Sequence, residues 1–135
     1  MKTTGHCLCG EITFEIDGEL ASIEICHCSQ CRRAQGTAFA TNIPVAASQF
    51  RLLTGEDSLS SYESSPGKER VFCRQCGSPV FSRRAGLPDN LRVRAGLLDG
   101  PLATTLSSHA FTDSKADWWQ ITDDLPRFPG LRSQV

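Results

Sequence analysis

The residues of this chain best suited to chemistry are seven cysteines in three groups: Cys7-x-Cys9, Cys26-x-Cys28-x2-Cys31 and Cys73-x2-Cys76. The middle group is the densest, and His27 stands between its first two thiols. Spacing this tight disfavours disulfides, because neighbouring Cβ vectors in an extended C-x-C run along one face rather than toward each other. It suits a soft metal ion. A structural zinc site is closed by four protein ligands, whereas a catalytic one uses three and leaves a position for water or substrate. Seven thiols divide as four plus three. The expectation is two Zn²⁺ per chain, one at each group. Cys7, Cys9, Cys73 and Cys76 form a structural site that staples an early strand to a mid-chain knuckle, where a cross-link constrains the unfolded chain strongly. Cys26, Cys28 and Cys31 form a catalytic site with one open position.

Other arrangements compete. Cys73 and Cys76 could be a redox pair, although no βαβ pattern of the thioredoxin kind surrounds them. The triad could be closed by a histidine. In an extended Cys26-His27-Cys28, however, the His27 side chain points opposite to both neighbouring sulfurs. His6 faces away from Cys7 for the same reason. His109 stands as a fourth ligand, a catalytic acid/base or a core histidine. Three thiolates on Zn²⁺ leave an electron-rich metal, less suited to activating water than one held by neutral imidazoles. A thiol is the better match, being soft and readily deprotonated on coordination. The expected substrate is therefore a small thiol, or a carbonyl compound that such a thiol attacks. Arg32 and Arg33 follow the triad and would offset its charge. With Lys68, Arg70, Arg74, Arg92 and Arg94 they are candidates for binding substrate carboxylates.

The elements that must position these residues read as short strands. Ile12, Phe14 and Ile16 alternate with Glu11, Thr13 and Glu15, the pattern of a half-buried strand. Leu20–Ile25 reads as a strand feeding the triad, and Arg32–Gln35 as a helical turn ended by Gly36. Strands are expected over 38–45, 51–53, 59–62, 68–72 and 79–82, with a further helical turn over 46–50. Residues 64–68 and 86–90 read as loops. Leu91, Val93 and Ala95 alternate with Arg92 and Arg94, a strand with one cationic face. The tail from Ser107 to Pro129 has no helical period, and Trp118 and Trp119 either cap a pocket or fill the core. Closely spaced strands with turn residues between them predict a mainly β fold with a few short helical turns.

Bulk properties set the class. At 135 residues, with 39% hydrophobic and 21% charged residues, the chain reads as one domain over 1–135. A net charge of -1 argues against a nucleic-acid partner, which usually demands a strong basic excess. No apolar run approaches the ~18 residues that span a bilayer, and the N-terminus has no signal-peptide core. The cytoplasm is the expected compartment. There thiols stay reduced, and cysteine clusters bind metal or do redox chemistry.

In these motifs the chain resembles the glutathione-dependent formaldehyde-activating enzyme family, also called the centromere protein V-like family. The matching stretches are Gly5-His6-Cys7-Leu8-Cys9-Gly10, Cys26-His27-Cys28-Ser29-Gln30-Cys31-Arg32-Arg33 with Gly36, and Phe72-Cys73-Arg74-Gln75-Cys76-Gly77-Ser78. Ala95-Gly96-Leu97-Leu98-Asp99, His109-Ala110-Phe111 and Ser114–Trp118 complete the match. The resemblance implies a β-tent, a set of small antiparallel sheets around zinc. It implies a structural zinc at Cys7, Cys9, Cys73 and Cys76 and a catalytic zinc at Cys26, Cys28 and Cys31. It also implies a carbon–sulfur lyase activity that forms S-hydroxymethylglutathione reversibly from formaldehyde and glutathione. Two other functions fit the cysteines: a zinc-stapled binding module, and a redox or metal-transfer protein.

Overall fold

A computed structural model of the chain describes residues 1–131. Positions 132–135 of the expected domain lie outside the described residues. The fold is mainly β, and its sheets are built around two groups of thiols.

The alternation at Ile12, Phe14 and Ile16 does what it predicts. These three side chains are fully buried from β2 (Thr13–Asp17) and the residue before it. β2 pairs antiparallel with β1 (Lys2–His6) and with β5 (Phe50–Thr54), giving a three-stranded sheet in the order β1-β2-β5. β1 has no apolar alternation and is not legible as a strand. It is one because β2 offers it a partner and because Gly5 fits beneath the Phe14 ring, where a Cβ would lie 2.5 Å from Phe14 Cζ.

The second sheet contains β3 (Ile23–Cys26), β4 (Ala40–Ala46), β6 (Leu59–Ser65), β7 (Lys68–Cys73), β8 (Pro79–Arg84), β9 (Leu87–Arg94) and β10 (Leu106–Ala110). Their order is β10-β3-β4-β9-β8-β7-β6. All neighbours are antiparallel except β10, which runs parallel to β3 at the edge. Two expectations change here. The loop read over 86–90 is the start of β9, because Ala85-Gly86 alone makes the turn and Arg84 pairs with Leu87. The tail contributes β10, whose pairing with a strand some eighty residues earlier leaves no local signal. The loop read over 64–68 holds only at Pro66-Gly67, which turns β6 into β7 with Gly67 at φ 78°, while Ser64 and Ser65 belong to β6.

The two sheets meet through Phe50, whose ring stacks 5.0 Å from Phe14 and packs edge-on 5.4 Å from Phe81. Around this contact Ile43, Val45, Val71, Val80, Leu91 and Val93 complete the core. Burial of each such side chain stabilises by roughly 1.5–3 kcal/mol.

The register of the large sheet separates its two faces. Cross-strand partners share a face and successive residues alternate. Ile43, Val71, Phe81 and Val93 face the core, and so does Cys73. The pairs Asn42–Arg94, Ser82–Arg92, Arg70–Ser82 and Lys68–Arg84 place Lys68, Arg70, Arg84, Arg92 and Arg94 on the opposite face, together with Ala40 and its partner Cys26. Each group of thiols therefore belongs to a different face of one sheet.

Candidate metal centres and the adjoining cleft

On the core face, two similar loops bring four thiols together. After β1, Cys7-Leu8-Cys9-Gly10 turns with Gly10 at φ 81°, its N–H donating to the Cys7 carbonyl at 3.1 Å. After β7, Cys73–Gly77 turns with Gly77 at φ 81°, its N–H donating to the Cys73 carbonyl at 2.7 Å. A left-handed residue just past the last ligand favours glycine at both positions. The sulfurs of Cys7, Cys9, Cys73 and Cys76 all lie within 4.8 Å of one another, with Cys7–Cys9 at 3.6 Å and Cys9–Cys73 at 3.8 Å. Tetrahedral coordination with Zn–S near 2.3 Å places sulfurs about 3.8 Å apart. The donor set fits such an ion. Backbone and side chain prepare it: the Ile12 N–H donates to Cys7 Sγ at 3.3 Å. Hydrogen bonds from Ser78 bring the Cys76 thiol down to about 5. No disulfide links any of the cysteines.

On the opposite face, Cys26 ends β3 and Cys31 sits in the helix α1 (Ser29–Gln35). Cys28 is the N-cap of α1, and its Sγ accepts from the Cys31 N–H at 3.2 Å. This capping bond is why a Cys-x2-Cys spacing turns both thiols inward. Gly36, left-handed at φ 67°, ends the helix where it was expected to end. The three sulfurs lie within 4.8 Å of one another, and no histidine joins them. Cys31 is held well below the usual thiol range by hydrogen bonds from Cys26 and Cys28, with Arg70 and Lys68 adding positive charge against the opposing effect of burial.

Arg70 is the main neighbour of Cys31. Its Nη1 and Nη2 lie 3.9 and 3.8 Å from Cys31 Sγ, and its Nε donates to Ser64 Oγ at 3.0 Å. Arg94, also on this face, donates to Asn42 Oδ1. Burial lowers Arg94 only to about 10, so it stays cationic at neutral pH. These two buried guanidiniums balance the negative charge of a three-thiolate site.

Beside the triad opens a cleft of about 290 Å³. Cys26 and Cys28 form one wall, Lys68, Arg84 and Arg92 another, and Phe111 a third. Phe111 has a left-handed backbone at φ 55°, rare for a bulky residue and costly by about 1–3 kcal/mol. The strain accompanies a ring packed against Cys26 and Cys31. Arg84 is marked by no local signal in the sequence, and Phe111 only by the His109-Ala110-Phe111 match.

The histidines behave differently from the thiols. His27 is fully buried, on the side of its strand away from the sulfurs, as its parity requires, and not at the surface. Its Nε2 lies 2.8 Å from His109 Nδ1, and His109 Nε2 lies 3.0 Å from the Asp123 carboxylate. An ionised Asp123 accepts from His109 Nε2–H, which makes His109 Nδ1 the acceptor for His27 Nε2–H. His27 Nδ1 is then a bare lone pair, consistent with its having no partner. Burial lowers His27 to about 4, so it is neutral at pH 7. The chain of bonds ties the tail to the metal loop, reinforced by the His27 N–H on the Ala110 carbonyl at 2.9 Å. His109 is a buried histidine engaged at both nitrogens and is not among the residues that line the cleft. His6 is exposed and lies 3.5 Å from Asp99.

Arg32 and Arg33 are not among the residues that line the cleft, although Arg32 is bonded to Ser114, which is. Successive helical residues turn by about 100°, so with Cys31 facing inward both project elsewhere. Arg32 Nε donates to the Ser114 carbonyl at 3.2 Å, and Arg33 is exposed. Arg74 is exposed on the loop of the other centre. The two tryptophans are exposed at 68% and 40%, so neither fills the core; Trp119 meets Phe39 edge-on at 5.5 Å.

The profile of the family described as "Glutathione-dependent formaldehyde-activating enzyme" matches residues 2–114, which include all seven cysteines. The chain belongs to this family. Relatives of the glutathione-dependent formaldehyde-activating family include an uncharacterized lyase of Schizosaccharomyces pombe, 24% identical over 92% of this chain and 88% of its own length. A protein of Aspergillus flavus named "Putative glutathione-dependent formaldehyde-activating enzyme" is 24% identical over 96% of this chain. The chain spans only 60% of that protein's length. A crystal structure of a Rhodobacter sphaeroides protein shares the fold with a TM-score of 0.62 and 26% identity, covering 77% of this chain and 99% of that one. Among the described residues no helix is long and apolar enough to cross a membrane.

Proposed function

We propose that residues 1–135 act as one domain with zinc-dependent carbon–sulfur lyase-type activity on a thiol–aldehyde adduct such as S-hydroxymethylglutathione. In the forming direction, the sulfur of glutathione bonds to the carbon of formaldehyde and the thiol proton ends on the carbonyl oxygen. Cleavage reverses both changes. Cys7, Cys9, Cys73 and Cys76 would hold a structural zinc, and Cys26, Cys28 and Cys31 a catalytic one. Zinc at the triad supplies, when bound, a soft cation that favours the deprotonated form of an external thiol.

The chain's own residues do the rest. Arg70 holds Cys31 as a thiolate and limits the negative charge that an incoming thiolate must meet. Phe111 narrows the cleft beside the sulfurs and keeps water from one side of it. Holding thiol and aldehyde in one cleft lowers the entropic cost of their encounter. His109 serves by position, fixing the metal loop through His27. Seven reduced thiols suit a cytoplasmic protein.

The observation that carries this reading is the contrast between the two centres. Four thiols make a complete tetrahedral donor set among themselves, whereas the other group has three, two of which, Cys26 and Cys28, line a cleft. The test is zinc counting on Cys31→Ser and Cys76→Ser proteins, paired with an assay of S-hydroxymethylglutathione formation. Cys31→Ser should lose activity and one zinc while keeping its thermal unfolding transition, and Cys76→Ser should lose the transition. If Cys31→Ser unfolds as Cys76→Ser does, the triad is structural and the protein is better read as a zinc-stapled binding module.

A further inference from the structure

Lys68, Arg84 and Arg92 line the cleft beside the triad and also a smaller adjoining hollow of about 10 Å³, with room for one water-sized group. Lys68 is only 7% exposed. A lysine this deep is rarely found unpaired. Yet among the described residues no ion pair or side-chain hydrogen bond engages Lys68, Arg84 or Arg92. Neither cavity has a carboxylate in its walls. Most other cations that are buried or half-buried are engaged, and the exposed Arg33 and Arg74 are left to solvent. Arg70 meets Cys31 and Ser64, Arg94 meets Asn42, Arg83 pairs with Glu69, and Lys2 pairs with Glu15. Ser82, 1% exposed, and Asn90 join the same hollow as neutral hydrogen-bonding groups. Sheet register makes this convergence rigid, since Lys68 pairs with Arg84 and Ser82 with Arg92. The thiol triad offsets part of the Lys68 charge, and a further anion in the cleft would relieve the repulsion that remains among the three like charges.

We propose that Lys68, Arg84 and Arg92 form an oxyanion-binding subsite beside the open thiol triad. Its ligand is the carboxylate of the thiol substrate or a free inorganic oxyanion. In the first case it rests on the lyase reading and defines the substrate class: thiols carrying a carboxylate are selected, and aminothiols without one are rejected. The two guanidiniums supply forked donors for an oxygen pair, and Lys68 supplies a point charge behind them.

The test is calorimetric titration of the zinc-loaded protein with mercaptosuccinate, 2-mercaptoethanol and inorganic sulfate, repeated on Lys68→Met and Arg84→Gln. Arg84 is half-buried, so its variant serves if Lys68→Met fails to fold. Mercaptosuccinate should bind about 10- to 100-fold more tightly than mercaptoethanol, the value of one charge-assisted hydrogen bond. That preference should fall to within about twofold in either folded variant. Sulfate that binds, with no preference between the thiols, assigns the subsite to a free oxyanion, and its binding should then be lost in the same variants. Equal thiol affinities with no sulfate binding overturn the proposal, as does a preference that both variants retain. If thiol–aldehyde turnover is absent while variant-sensitive oxyanion binding persists, the lyase reading fails and the subsite stands. Turnover on carboxylate thiols that neither variant alters has the reverse meaning.

Discussion

Replacing Arg70 with methionine tests how the triad is held. Methionine keeps the length of the stem and removes the guanidinium, and with it the two N–H contacts to Cys31 Sγ at 3.8 and 3.9 Å. Arg70 is 8% exposed, so solvent cannot replace those contacts freely. A hydrogen bond to a charged partner contributes about 1.5–3 kcal/mol. These sulfur contacts are long, so a total near ~2 kcal/mol is expected for the pair. At 1.36 kcal/mol per tenfold, that weakens metal binding at the triad about 30-fold, inside the 10- to 100-fold range typical for loss of an outer partner. The four-thiolate centre, on the other face of the sheet, should keep its affinity. Competition with a chromophoric chelator gives the two affinities, and the sulfur-to-metal absorption of the cobalt form reports directly on the thiolates. Arg70→Lys should recover only part of the loss, since an ammonium keeps the charge and lacks the fork. If Arg70→Met binds metal at the triad within twofold of the natural protein, Arg70 does not support that centre and the reasoning is wrong.

Other perturbations separate fold from site. Phe14→Ala removes the fully buried ring at the junction of the two sheets and should cost about 3–5 kcal/mol by chemical denaturation. Gly55→Ala should cost at least ~2 kcal/mol, because Gly55 has φ 91° and an added Cβ would lie 2.4 Å from the Glu11 carbonyl oxygen. His109→Phe leaves His27 Nε2 without a partner, an expected loss of about 1–3 kcal/mol in unfolding free energy with faster proteolysis of the tail. A fall in turnover above about 100-fold at unchanged stability would instead return His109 to acid/base chemistry. Trp118→Ala, at a side chain 68% exposed, should move stability by no more than ~0.5 kcal/mol in the same unfolding experiment.

Elements whose pattern is local were legible. The Ile12-Phe14-Ile16 alternation, the Pro66-Gly67 turn and Gly36 at the helix end express periods and backbone preferences that act over a few residues. Elements that exist through distant pairing were not. β1 carries no alternation, β10 pairs with a strand far back in the chain, and β9 begins inside an apparent loop. The site divides along the same line. His27 was excluded as a ligand by strand parity, but its burial against His109 required the tail to fold across β3. Arg32, adjacent to the triad in sequence, is bonded to the Ser114 carbonyl, a contact that only the folded tail supplies. Lys68, Arg84 and Arg92, remote in sequence, arrive beside it on three neighbouring strands joined by two pairings.

The sequence by itself determined the ligand chemistry. The count and spacing of cysteines divide into four and three, and the side-chain parity of short motifs decides which donors share a face. Only the tertiary structure decided what surrounds those thiols. It set one group against the core and the other against a field of buried cations, on opposite faces of one sheet. The reason is physical: ligand spacing is fixed by covalent reach over a few residues, whereas the charge around a site is summed over strands whose register is set by packing a core elsewhere.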